Sequence, residues 1–563
     1  MRIHALFLMF AALLPAGEVI LTVLATTDMH GNLYPYDYLT GKTAVRGLAK
    51  VSTLIKAERA TAPSALLLDC GDTIQGSPLE SVYQTFVDTG KLPLNLPYDG
   101  SLFKADPMML AMNHLRYDAM AVGNHEYNFG LKNLDKARSD AKFPWLSANT
   151  HTKAGSDRKP FAPYLVKEVD GAKVGIIGIT TPAVPTWEKP ENYAGYSFED
   201  AVAATRAAVA DLRSKHKADV IIVIAHSGIN ESGSAGRSHE DIVLDLVPVP
   251  GVDVIIFGHS HSQVESRTLN GVLLTQPKNW AISLARVDIQ LESNAEGGYR
   301  IRSKTSKLVP VTEGTESDPE ILRLAKPYHE VTEGYLNTVV AQSDVDINAS
   351  KSRIEDSAII DAIQQVQLHY AKADVSFASS FNPRAAIAKG PVNIRQVAAL
   401  YLYDNELYAI EGTGKMVREA LENAARYFQS CANPSCTHGS LINSAVIGYN
   451  FDMAQGVSYE IDLTQPVGDR IRNLQFRGKP LQPSQKLRIA LNNYRAGGSN
   501  GYTMFKPAKV LWRSYEDIRD LIIRYYSEKN LPSKPDHNWR VVPGSAHRLL
   551  EEEVRRFAQP PLK

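Results

Sequence analysis

Between residues 19 and 311, short apolar runs alternate with stretches of helical spacing. The runs at 20–25, 65–68, 174–179, 220–225 and 252–257 are almost continuously apolar, as in strands buried on both faces. Residues 47–59 and 198–215 between them read as helices. Such alternation predicts an α/β sheet layer covered by helices. Val287-Asp288-Ile289-Gln290-Leu291 alternates apolar and polar residues, the pattern of an edge or half-exposed strand.

The strand signal fades after residue 311. Residues 312–319 are polar and 320–335 have helical spacing, so a linker and hinge is expected over 312–340. From 341 a second, smaller unit begins, with helices expected at 357–370 and 416–428 and strands at 457–463, 472–476 and 487–491. A chain of 563 residues is in any case too long for one core. The sequence contains no internal repeat.

The first residues change the picture of where the chain acts. Arg2 and His4 precede an apolar run at 5–14, followed by Pro15-Ala16-Gly17. This reads as a secretory signal peptide over 1–17, and the run is too short to span a bilayer. The expectation is an exported protein, periplasmic or secreted, without stable membrane insertion. Export permits disulfides. Cys431 and Cys436 are placed to close a small loop, and Cys70 reads as a buried thiol. Lys+Arg and Asp+Glu balance at 61 each, which argues against a partner that is a nucleic-acid polymer or an anionic lipid surface. No obligate protein partner is evident.

The candidate chemistry lies in the first unit. Asp28-Met29-His30-Gly31, Gly71-Asp72-Thr73, Gly123-Asn124-His125-Glu126, His226 and Gly258-His259-Ser260-His261 each follow an apolar run. Groups at the carboxyl ends of strands meet along one rim of an α/β sheet. Imidazoles and carboxylates suit divalent transition metals, and a carboxylate can bridge two of them.

At these residues the sequence resembles the calcineurin-like metallophosphoesterases, and within them the bacterial 5′-nucleotidase and 2′,3′-cyclic-nucleotide 2′-phosphodiesterase family. The resemblance implies a four-layer αββα metallophosphoesterase domain over 18–311. A smaller α/β nucleotide-binding C-terminal domain would occupy 341–563. It implies two divalent metal ions (Mn, Zn, Co, Fe or Mg). Asp28, His30, Asp72 and His261 would hold the first, and Asp72, Asn124, His226 and His259 the second. His125 would act on the leaving oxygen. In the 5′-nucleotidase branch an Asp three residues on orients that histidine; here the position is Asn128. Asn128 and His261 both look like the cyclic-phosphodiesterase/3′-nucleotidase branch, as does Asp536-His537-Asn538-Trp539-Arg540. Through the motifs at 401–405 and 492–498, Tyr403 and Tyr494 would sandwich a nucleobase. Arg384, Asn405 and Asn500 would complete the substrate contacts. The implied activity is hydrolysis of 2′,3′-cyclic nucleotides to 3′-nucleotides, then to nucleosides and phosphate. The alternatives are a 5′-nucleotidase or nucleotide-sugar hydrolase on the same scaffold and, more remotely, a nucleotide-binding receptor without catalysis.

Overall fold

A computed structural model describes residues 18–93, 103–231, 240–294, 297–403, 405–433 and 435–558. The expected signal peptide lies outside the described residues, as does Asp404 of the 401–405 motif. Two compact units divide at Glu333/Gly334.

The first unit contains two six-stranded sheets. In chain order the strands are β1 (Glu18–Thr26), β2 (Leu66–Asp69), β3 (Ala119–Ala121), β4 (Trp145–Leu146), β5 (Tyr164–Val169) and β6 (Ala172–Thr180). There follow β7 (Val220–His226), β8 (Val254–Phe257), β9 (Val264–Leu269), β10 (Val272–Gln276), β11 (Ser283–Ser293) and β12 (Tyr299–Pro310). One sheet has the order β12-β11-β1-β2-β3-β4 and the other β9-β10-β8-β7-β6-β5.

The continuous apolar runs are explained by what each strand face meets. Leu21, Val23 and Ala25 of β1 pack in one cluster with Val220, Ile222 and Ile224 of β7, so the sheets lie face to face. The alternate residues Ile221 and Val223 pack with Val209 and Leu212 of helix Ala201–Ser214. Leu24 and Leu67 pack with Val51 and Ile55 of helix Leu48–Thr61. Helix, sheet, sheet and helix therefore form four layers, with no polar face on the central strands.

The 287–291 run lies in β11, which is half-exposed but pairs with β1 on one side and β12 on the other, so β12 is the edge. The expected linker is also fastened to the first unit. The Asp318 carboxylate accepts from Ser52, its backbone N–H donates to Ala49 O at 2.8 Å, and Ile321 and Ala325 join the helix-facing core. The division falls within helix Pro319–Leu336, inside the 312–340 segment.

The second unit packs around one hydrophobic cluster. Its five-stranded sheet runs, in spatial order, Asp452–Gln455, Val375–Ser379, Lys486–Asn492, Glu406–Thr413 and Val510–Asp517. A four-stranded sheet centres on Ile471–Phe476 and Val457–Asp462. Helix Ala358–Ala371 is capped by Ser357. The expected helix at 416–428 is helix Gly414–Ala424 followed by a 3-10 turn, Ala425–Tyr427. Cys431 and Cys436 are joined, with Cα atoms 5.0 Å apart, and Cys70 is a buried free thiol. Among the described residues no helix is long and apolar enough to cross a membrane.

Candidate metal centre

The strands β1, β2 and β3 pair in parallel, as do β7 and β8, so within each sheet their carboxyl ends share an edge. From the first sheet come Asp28 and His30 after β1, Asp72 after β2, and Asn124 and His125 after β3. From the second come His226 at the end of β7, and His259 and His261 after β8. The loops are stitched together by backbone bonds from Asp28 to Gly71 O and from His30 to Asp72 O, both 2.9 Å.

Five of these residues have left-handed backbone: Asp28 (φ 47°), His30 (48°), Asp72 (56°), His259 (69°) and His261 (52°). That conformation is uncommon outside glycine, and such outliers gather at functional sites. Here it turns side chains from neighbouring loops toward one another. Gly123 is required for the close approach, since a Cβ there would lie 2.2 Å from Asp72 Oδ1.

The donor atoms form two groups. In one, those of Asp28, His30 and His261 lie within 4.8 Å of one another; in the other, those of Asp72, His226 and His259 do. His30 Nε2 is 2.9 Å from His261 Nε2, and His261 Nε2 is 3.5 Å from Asp28 Oδ1. His226 Nε2 is 2.9 Å from Asp72 Oδ2 and 3.1 Å from Asn124 Oδ1. Asp72 Oδ2 lies 3.9 Å from Nε2 of both His30 and His125, between the groups. The Nδ1 atoms of His30 and His226 face the carbonyls of Gln75 and Cys70 at 2.8 Å. Donation there turns each Nε2 inward, the arrangement that orients metal-binding imidazoles. The donor set and its convergence fit divalent cations.

Charge is concentrated on Asp72. Burial opposes its ionisation, but the facing His226 and His125 imidazoles hold its carboxyl well below the usual range. Burial likewise opposes the His226 proton, yet Asp72 and then Asp28 raise it to about 10. His259 is lowered to about 3 by burial and by His226. The cluster thus already stabilises positive charge beside Asp72.

His125 is partly exposed, as are His259 and His261, and its Nδ1 lies 2.5 Å from Asn128 Oδ1. Two residues that the motifs did not single out support this region. Glu126 is fully buried and its carboxylate accepts the backbone N–H groups of Gly123 (2.7 Å), Asp72 (2.9 Å) and Thr73 (2.6 Å). It lies inside the Gly123–Glu126 motif, and a Glu beside glycine-rich loops is the available signal. Glu188 accepts from the Asn128 amide and sits in a loop that carries no sequence signal.

In the second unit, Tyr403 and Tyr494 are 45% and 61% exposed, unusual for rings of that size. Tyr403 meets Phe381 edge-on at 4.9 Å and Tyr449 at 6.3 Å. Tyr494 lies on the short helix Asn493–Ala496, capped by Asn492, where buried Arg495 pairs with Asp452 at 2.7 Å. Arg384 is exposed, and its guanidinium has no ion-pair partner among the described residues. Asn405 is buried, with Oδ1 accepting from Tyr401 Oη at 3.1 Å. Asn500 is exposed, and its carbonyl accepts from Asn423.

Residues 21–263 match the calcineurin-like phosphoesterase family, and 339–507 match the 5′-nucleotidase C-terminal domain. The chain is 31% identical to the trifunctional nucleotide phosphoesterase protein YfkN of Bacillus subtilis over 95% of its own length, but spans only 40% of that protein. It is 29% identical to the 2′,3′-cyclic-nucleotide 2′-phosphodiesterase/3′-nucleotidase of Salmonella typhimurium, covering 95% of this chain and 91% of that one. The crystal structure of a 5′-nucleotidase precursor from Thermus thermophilus superimposes with a TM-score of 0.58 at 25% identity, covering 93% of this chain and 99% of the other. With its paired sheets, its donor cluster at the strand ends and both domains matched, the chain belongs to the calcineurin-like phosphoesterases that carry a 5′-nucleotidase C-terminal domain.

Proposed function

We propose that the protein is an exported dinuclear-metal phosphoesterase that converts 2′,3′-cyclic nucleotides to 3′-nucleotides, and these to nucleosides and phosphate. The observation that carries this reading is the convergence of two donor groups around Asp72, with His125 Nε2 3.9 Å from the same carboxylate. Asp28, His30, Asp72 and His261 would hold one cation, and Asp72, Asn124, His226 and His259 the other. When bound, two divalent cations supply activation of water and neutralisation of phosphate charge.

The chain's own groups then have defined tasks. His125 faces the phosphate and gives a proton to the leaving ribose oxygen. In the first round the P–O2′ bond breaks and water supplies the new oxygen on phosphorus; in the second the P–O3′ bond breaks. Asn128 holds the imidazole by its Nδ1 edge. Tyr403 and Tyr494 offer exposed faces for stacking on a base, which tolerates any base. Arg384 and Asn500 complete the substrate contacts. Asn405 supports them from its buried position. The likeness to the Salmonella enzyme over nine-tenths of both chains favours the cyclic substrate.

A substrate panel with added Mn, Co, Zn or Mg tests the proposal. Phosphate release from 3′-AMP, and conversion of 2′,3′-cyclic AMP, should exceed release from 5′-AMP. Faster turnover of 5′-AMP or a nucleotide sugar would move the protein to the alternative branch. Absence of metal-dependent turnover of bis-p-nitrophenyl phosphate would leave only a binding role.

A further inference from the structure

We propose that Glu188 is a positioning residue for His125, acting through the side-chain amide of Asn128. The inference rests on the reading of His125 as proton donor. Glu188 follows the short helix Val184–Trp187 and is 7% exposed. One of its oxygens, Oε2, accepts from Asn128 Nδ2 at 2.5 Å. The other, Oε1, accepts from Asn192 Nδ2 at 2.8 Å and from the Lys189 backbone N–H at 2.6 Å. Asn192 Nδ2 also donates to the Asn128 carbonyl at 3.2 Å, so the loop and the His125 turn are tied twice.

The argument is one of hydrogen-bond polarity. An ionised carboxylate only accepts. Facing Glu188, the Asn128 amide must present its NH2 group there and its oxygen to His125. That oxygen also only accepts, so His125 Nδ1 carries a hydrogen. When the ring donates, both nitrogens therefore bear a hydrogen: Nδ1 keeps its own against Asn128, and Nε2, on the side facing Asp72, gives its own to the reacting centre. Without Glu188 the amide is free to turn over, place its NH2 against Nδ1 and impose the opposite tautomer. The carboxylate that supports this histidine is thus moved back by one amide, from position 128 to position 188.

Glu188→Gln tests the inference with little change of shape. The single oxygen of the new amide best serves Asn192 and Lys189 together, which leaves an NH2 group facing Asn128 and turns the Asn128 amide over. The expected result is a kcat lowered about 10–100-fold, the range found when an orienting partner is removed, with KM and metal content unchanged. The double variant Glu188→Gln/Asn128→Asp should recover most of the loss, because the amide introduced at position 188 would then donate to a carboxylate at position 128 that accepts from His125. A second readout does not depend on turnover. The Nδ1–H resonance of His125 in ¹⁵N-labelled protein, assigned by its loss in His125→Gln, should persist in the wild type and the double variant and vanish in Glu188→Gln. A wild-type kcat in Glu188→Gln, a double variant no better than it, or an unchanged Nδ1–H resonance would overturn the inference. A wild-type rate in His125→Ala would overturn only the reading of His125, and the resonance would still decide the role of Glu188.

Discussion

His226 reaches Asp72 from the opposite sheet, with Nε2 2.9 Å from Oδ2, and the remaining carboxylate oxygen of Asp72 accepts the backbone N–H of His125 at 2.9 Å. One side chain therefore joins the two donor groups and fixes the turn that carries the proposed proton donor. Asp72→Asn keeps the size of the residue and a side chain that tolerates left-handed backbone, but removes the charge. We expect metal content to fall at both sites and turnover to drop by at least about 100-fold. Elemental analysis beside a rate assay checks this; two bound ions at near-normal turnover would refute the bridging role.

Glu126 is buried beneath the loops rather than in contact with the donor cluster. Its two oxygens gather backbone N–H groups from both the Asp72 and the Asn124 loops. Glu126→Gln replaces one acceptor with a donor facing those N–H groups. Unfolding free energy should fall by about 1–3 kcal/mol, and metal affinity should weaken about 10–100-fold. Urea unfolding and metal titration report the two effects, and no change in either would make the carboxylate dispensable.

Much of this was legible from sequence. Strand ends at 26, 69, 226 and 257 were marked by apolar runs stopping at 25, 68, 225 and 257, just before Asp28, Asp72, His226 and His259. The division into two sheets was not legible from periodicity. When helices cover one face and a second sheet the other, both faces are apolar, and alternation that would separate them disappears. The anchoring of the 312–340 segment to the first unit was not legible, because residues 312–319 bury few apolar groups while Asp318 holds them by polar bonds to the helix carrying Ser52 and Lys56. Glu188 was hidden for a different reason: it supports Asn128 across 60 residues of chain, and hydrogen-bond polarity leaves no pattern in composition or spacing.

Tyr403→Ala or Tyr494→Ala should raise KM for nucleotides. Loss of one stacked base is worth about 1–3 kcal/mol, or about 5–150-fold. Hydrolysis of bis-p-nitrophenyl phosphate, which has no nucleobase, should keep its kinetic constants. Equal losses on both substrates would make the tyrosines structural, and unchanged KM on nucleotides would place the base elsewhere.

Asp361 gives the second unit a pH dependence of its own. Burial, then the neighbouring Asp356 and Asp536 carboxylates, raise it to about 8. Its unfolded-state pKa is about 3.9. Between these values the folded chain keeps a proton that the unfolded chain has released, so stability falls as pH rises toward 8, by at most about 1.4 kcal/mol per pH unit. Asp361→Asn removes the titration while retaining an oxygen for the Asp536 backbone N–H that Asp361 now accepts at 3.1 Å. Relative to wild type, the variant should gain stability steadily from pH 5 to pH 8 in thermal unfolding. A constant difference across that range would mean that Asp361 is ionised throughout.

Each donor group draws on both sheets: Asp28 and His30 with His261, and Asp72 with His226 and His259. A cation held in either group would consequently be a further cross-link between layers already joined by apolar contact and by bonds such as that of His226 to Cys70 O. Cations that bind the folded chain alone add about 2.7 kcal/mol at a hundred times their dissociation constant. Chelation would then remove a mechanical tie together with the chemistry. Resistance to heat and capacity for turnover would rise and fall together with the supply of metal.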